Sequence, residues 1–418
     1  MQRFAYDVVV VGGGIIGTAT ARELLLRNPS LKLALVEKEA SLAAHQSGHN
    51  SGVMHSGIYY TPGSLKAKLC VEGLELAYKY CSEHNISYKK CGKLIVAVNQ
   101  REISRLEALF KRATENKVKD ISLIDQDEIK RLEPNIHGLK AIWSPNTGIV
   151  DWAEVNKSFA EECKVRGADI YLNFCVKGLH VVSPTTKTPE PFVLVQSKTK
   201  ELLCKHVVTC AGLHSDNLAI MTGCSPEPRI IPFRGEYLVL KPEKSNLVKT
   251  NIYPVPHPEL PFLGVHITPR IDGSVWLGPN AVLAFEREGY SAKDFNVADT
   301  INYLGYRGFR KLAKKHFFYG LHEMYRSSNI AAQVRILQQY LPNLSSSDVV
   351  RGPTGVRAQA LDIDGNLVDD FVFDSGAQEF SDRVLHVRNA PSPAATSSLA
   401  IAKIIVDKME ENFCIKPL

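Results

Sequence analysis

The sequence has no run of about 18 apolar residues, so no segment reads as a bilayer-spanning helix. It has no Cys-x-x-Cys pair, and its 9 cysteines are odd in number and scattered. That pattern argues against a disulfide framework or a zinc site, leaves no metal expected, and fits a reducing compartment. An excess of one charge is also lacking: Lys+Arg 50 against Asp+Glu 44 leaves +6 over 418 residues, no electrostatic footprint for nucleic acid. The start of the chain lacks a secretory signal pattern, because the apolar run 8–11 is short and meets glycines at once. What is present is 44% hydrophobic and 22% charged, an ordinary globular mixture with length for about two domains.

Residues 6–11 are β-branched and continuous and predict a buried strand. A glycine turn, a helix over 15–27 and a second apolar strand over 31–37 complete a βαβ unit. Residues 41–63 are rich in Ser, Gly, His and Asn, a long irregular loop of the kind that usually carries function. Helices are predicted over 64–85, 100–117 and 152–166, strands over much of 229–291, helices over 297–341, and a last helix over 396–411. The fold class expected is α/β. A Rossmann-type nucleotide-binding domain (1–90, 146–228 and 348–418), read below as FAD-binding from its motifs, would interleave with a strand-rich α+β substrate domain (91–145 and 229–347).

Gly12, Gly14 and Gly17 match G-x-G-x-x-G. The first glycine permits the tight turn, the second lets backbone approach a diphosphate, and the third lets the helix pack on the strand. Ile15 and Ile16 would open the helix whose N-terminal amides face the phosphates. Glu37 closes the next strand twenty residues beyond Gly17, the spacing of a carboxylate that accepts a ribose hydroxyl, with Lys38 beside it. FAD is favoured over NAD by two further features. Small residues at Gly48, Asn50, Ser51, Gly52 and Val53 would let amides approach a flat ring. The run Ser392, Pro393, Ala394, Ala395 and Thr396 leads into the last helix, whose positive end would stabilise a reduced flavin.

Residues 49–60 (HNSGVMHSGIYY), 232–237 (PFRGEY), 264–270 (GVHITPR), 352–357 (GPTGVR) and 389–396 (NAPSPAAT) together resemble the D-amino-acid-oxidase-like flavoprotein family, on its branch of FAD-dependent L-2-hydroxyglutarate dehydrogenases. The resemblance spans nearly the whole chain. It implies FAD as cofactor, with further contacts at Val176, Ala211 and Gly212, and oxidation of L-2-hydroxyglutarate to 2-oxoglutarate by hydride transfer to flavin N5. It also implies electron transfer to a lipid quinone or similar acceptor, and a mitochondrial location at the inner membrane for a mature form without transit peptide. The closing loop departs from the glycine-rich version of the wider oxidase family, which places the alternative, an amine or amino-acid oxidase of the glycine/sarcosine type, second.

A diacid with one secondary hydroxyl needs a proton acceptor near pH 7, and a neutral imidazole suits. His266, on an alternating strand, is preferred; His55, beside the small-residue loop, is the other choice. Guanidinium groups match carboxylates, and Arg357, Arg234 and Arg270 are the candidates, Arg357 aligning with the carboxylate-holding position of related flavin amine oxidases. Tyr60 and Tyr59 would cover the cofactor or donate a hydroxyl. Arg307, Arg310, Lys311, Lys314 and Lys315 interleave with Tyr306, Phe309 and Leu312. This basic amphipathic stretch suits either peripheral contact with an anionic membrane or an ordinary solvated helix face.

Overall fold

The computed structural model describes residues 5–183, 192–257, 264–413 and 415. Cys414 lies outside the described residues. Strand Ala5–Val11, whose Val8, Val9 and Val10 are fully buried, runs parallel to Leu33–Val36 on one side and Glu201–Thr209 on the other. Asp169–Tyr171 extends the parallel run beyond Leu33–Val36, and Val384–Asn389 extends it beyond Glu201–Thr209. With antiparallel additions this makes an 8-stranded sheet among the described residues. Helices Ile15–Arg27 and Ser398–Phe413 pack together on it around Leu24, Leu25, Ile401 and Ile405. The parallel sheet with both faces covered is the doubly wound α/β arrangement.

Among the described residues, a 9-stranded sheet holds Lys93–Ala97, Asn251–Pro254, His266–Pro269, Val275–Gly278 and the long strand Arg229–Leu240. Alternation sorts its residues. Leu94, Ile252 and Ile267 enter one core, while Ile95 and Tyr253 belong to the opposite face. Strand Lys93–Ala97 pairs parallel to Asn251–Pro254 with Lys93 opposite Asn251, so Lys93, Tyr253 and His266 share that second face.

The structure departs from the expected division at one strand. Val349–Leu361, assigned from sequence to the FAD-binding domain, hydrogen-bonds along Arg229–Leu240 in the 9-stranded sheet, from Arg229↔Leu361 to Leu240↔Val349. Its alternation fits either sheet, and its partner lies more than a hundred residues away, so local pattern does not encode the choice. A buried ion pair joins the two sheets: Arg287 Nη1 donates to Asp216 Oδ1 at 2.6 Å, and Asp216 Oδ2 also accepts the Ile230 amide at 3.0 Å.

Candidate active site

The chain turns at Gly12 with φ +116°, and a Cβ there would lie 2.3 Å from the Cys210 carbonyl oxygen. A Cβ on Gly17 would lie 1.9 Å from the Gly12 oxygen, so helix and strand touch backbone to backbone. No side chain caps helix Ile15–Arg27 at Gly14, although the Ile15 amide donates to Ser47 Oγ at 2.9 Å. Glu37 Oε2 accepts the Gly13 amide at 2.7 Å and Oε1 accepts the Glu39 amide at 2.9 Å. A carboxylate has room for further donors, so Glu37 remains able to receive a ribose hydroxyl. Asn156, which sequence reading missed, donates to the Gly13 carbonyl at 3.0 Å and fixes the turn from behind.

From this turn one continuous cleft of ≈ 1040 Å³ runs to the second face of the 9-stranded sheet. It exceeds the roughly 300–1,000 Å³ of a drug-sized site, as a dinucleotide requires. Gly12, Gly14, Ile15, Ile16, Glu37, Lys38, Asn50, Ser51, Val53, Val176, Ala211, Gly212 and 392–396 all line it. Gly17, Gly48 and Gly52 do not; they permit close packing behind the wall, Gly48 against the Ala43 oxygen and Gly52, at φ +72°, against Arg270. The helix N-terminus facing the cleft, the glycine cradle and Glu37 fit FAD.

At the other end lie His55, Tyr59, Tyr60, Tyr237, Tyr253, His266 and Arg357. His266 is 7% exposed and stacks on Tyr253 with centroids 4.2 Å apart and planes at 13°. Its Nδ1 lies 3.3 Å from the Gly264 carbonyl, which only accepts, so Nδ1 carries the proton. Nε2 is buried without a partner and holds the lone pair. Burial, aided by the Arg357 and Lys93 charges, pushes the imidazole down to about 3, against the opposing Gly264 bond. Burial also lowers His55 well below its ordinary value, with Lys93 and His266 adding to it. His55 is tied in place through its amide, which donates to Thr396 Oγ1 at 3.1 Å.

Half-buried Arg357 meets the rings of the same wall. Burial lowers its pKa, and Tyr237, Tyr319 and Tyr253 oppose that. The other two arginines are placed elsewhere. Arg234 pairs with Glu236 at 3.0 Å and donates to the Ser291 carbonyl at 3.0 Å, outside the cleft lining. Residues two apart share a strand face, so Arg234 has a carboxylate within its own strand and is satisfied there. Arg270 donates to the Asn50 carbonyl at 2.9 Å and lies over the Trp276 ring at 4.2 Å. It braces the small-residue loop from behind and does not reach the cleft.

Sequence reading missed Lys93 and Tyr253. Lys93 is fully buried, with no hydrogen-bond partner at Nζ. A lysine heading the apolar run Leu94–Ala97 reads as an ordinary strand start, and nothing local reports its burial.

The sequence model of the family described as "FAD dependent oxidoreductase" matches residues 7–408. A relative from Nematostella vectensis, named "L-2-hydroxyglutarate dehydrogenase, mitochondrial", is 58% identical over 98% of this chain and 91% of its own. One from Homo sapiens with the same name is 55% identical over 98% of this chain and 89% of its own. Among solved structures, FAD-bound L-alpha-glycerophosphate oxidase from Mycoplasma pneumoniae has a TM-score of 0.78 at 23% identity, covering 97% of this chain and 95% of that one.

Proposed function

The chain belongs to the FAD-dependent oxidoreductase family, among the L-2-hydroxyglutarate dehydrogenases, and from that premise we propose that it oxidises L-2-hydroxyglutarate to 2-oxoglutarate and passes the electrons to a quinone-type acceptor. The observation that carries the reading is the unpartnered, buried Nε2 of His266 in the wall of a cleft that begins at the glycine turn.

FAD, when bound, supplies the hydride acceptor at its N5. The residues of the chain do the rest. Nε2 of His266 accepts the substrate hydroxyl proton, while the Gly264 carbonyl fixes the tautomer and Tyr253 fixes the ring plane. Arg357 grips the carboxylate next to the reacting carbon. His55 and Tyr60 close the wall beside them, and the apolar rings exclude water from the developing ketone.

A membrane location has its own support. Helices Val297–Gly305, Arg307–Lys315 and Phe317–Ser328 expose Ile301, Leu304, Phe317, Phe318, Leu321, Met324 and Tyr325, with Phe318 at 79%. Arg307, Arg310, Lys311, Lys314 and Lys315 are exposed beside them, while Phe309 and Leu312 turn inward. Exposed apolar side chains on two helices, with exposed cations on the helix between them in the chain, suit the headgroup region of an anionic bilayer, where a lipid quinone is at hand. No helix among the described residues is long and apolar enough to cross a membrane. The relatives' names carry the word mitochondrial, which supports a mitochondrial placement, and the exposed apolar and cationic face supports the inner membrane as the surface it meets.

The test is turnover by FAD-loaded protein with a soluble quinone analogue, the product identified by mass. Formation of 2-oxoglutarate from the L enantiomer supports the reading. Turnover of glycine or sarcosine alone would replace it with the amine-oxidase alternative. Sedimentation with anionic but not neutral vesicles tests the membrane face.

A further inference from the structure

Buried polar atoms without partners are uncommon in folded proteins. Four of those found among the described residues surround one ring, Tyr253: His55 Nδ1, Tyr59 Oη, Lys93 Nζ and His266 Nε2. Lys93 Nζ lies 4.9 Å from the Tyr59 centroid and 5.0 Å from the Tyr253 centroid, and the two rings are 6.4 Å apart. The ammonium therefore sits beside the two rings, about equally far from each; both rings line the cleft, and Lys93 stands directly behind them rather than in the lining. The titratable groups around it are Tyr59, Tyr253, His55, His266 and Cys70; burial pushes the Cys70 thiol up to about 12, so none is an anion near neutral pH.

We propose that Lys93 and Tyr59 form the seat for the second carboxylate of the substrate, a subsite that makes the enzyme select diacids over monoacids. The proposal rests on the reading of function above and deepens it. A 2-hydroxy diacid brings two negative charges. Arg357 balances one, and Lys93 is the cation left without an anion. Near the Tyr59 end of the cleft, Lys66 has Asp369 and Asp370 for neighbours, and Arg112 donates to the Tyr59 carbonyl at 3.3 Å. A monoacid would leave Lys93 and the Tyr59 hydroxyl buried and unsatisfied, and sites built around such groups reject the ligand that lacks the matching one.

The experiment measures binding of glutarate and valerate to the FAD-loaded wild type and the Lys93→Met variant by calorimetry. KM for L-2-hydroxyglutarate and for L-2-hydroxyvalerate, which lacks the second carboxylate, is measured in parallel. Lys93→Met is expected to weaken glutarate and raise the diacid KM on the order of 10²-fold, leaving valerate and the monoacid within about threefold. Lys93→Arg should recover part of the loss. Equal weakening of both ligands, or glutarate affinity unchanged, overturns the proposal. Should Lys93→Met fail to fold, Tyr59→Phe gives the same reading: glutarate weakened several-fold with valerate unchanged supports the subsite, and any other pattern overturns it. A wild type that oxidises the diacid beside a Lys93→Met that keeps its diacid preference ends the subsite alone. A wild type inert toward the diacid ends the functional reading as well.

Discussion

The two ends of the cleft are built on opposite rules. At the glycine-turn end the charges satisfy one another. Lys38 Nζ donates to Glu288 Oε1 at 2.7 Å and also to Glu39, His214 Nε2 meets Glu288 at 3.2 Å, and His45 bridges Glu39 at 3.0 Å and Tyr290 at 3.0 Å. Burial raises Glu288, but the His214 and Lys38 hydrogen bonds outweigh it and hold that carboxyl down to about 2. At the Tyr253 end, imidazole, hydroxyl and ammonium groups are buried with atoms unmatched. A region that completes its own bonds holds a shape. A region that leaves them open waits for a ligand to complete them.

The sharpest way to break this comparison is His266→Asn. General-base loss predicts that flavin reduction by L-2-hydroxyglutarate slows by about 10²–10⁴-fold with Tm little changed. Rapid-mixing absorbance reads the rate, and an unslowed rate moves the base to His55. Next is Asp216→Ala at the buried Arg287 pair that joins the two sheets. It should lower stability by about 3 kcal/mol, because the buried Arg287 keeps only Asp299, 3.8 Å from its Nε, as a counter-ion. Chemical denaturation measures this, and a loss under 1 kcal/mol would show that the joint is not held there.

The pH profile sharpens the contrast. Burial lowers Lys93 from 10.5 to about 8, so it is charged below that pH and neutral above. kcat/KM for the diacid should fall as pH rises through about 8, and Lys93→Met should lack that limb. His266 is neutral at every pH above about 3, so no acid limb from it is expected near 6.5. An acid limb there that disappears in His266→Asn would contradict its buried, neutral state. The smallest effect is at the self-satisfied end. Glu288→Gln should cost about 1 kcal/mol, since the pair is partly exposed, and leave kcat within twofold. A large drop in kcat would erase the distinction between the ends.

How much of this could be read from the chain follows the same divide. The glycine turn, the strand before it and the acid after the next strand are local patterns, and the structure places all three at the cleft. The face of His266 was legible because alternation fixes a side. Arg234 was misjudged although its partner Glu236 stands two residues away on the same face, a signal present in the sequence and unused. The strand Val349–Leu361 and the group Lys93, Tyr253 and His266 were not legible. Their meaning lies in long-range pairings, Val349–Leu361 with Arg229–Leu240 and Lys93–Ala97 with Asn251–Pro254, which no local period records.

The central claim is that the unmatched end of the cleft receives a 2-hydroxy diacid beside FAD. The direct measurement is anaerobic mixing of FAD-loaded protein with L-2-hydroxyglutarate while the flavin absorbance is followed. The account predicts loss of the oxidised flavin band with the L-diacid, and much slower loss with its monoacid counterpart. A band that persists with the L-diacid, or that fades equally with both acids, contradicts it.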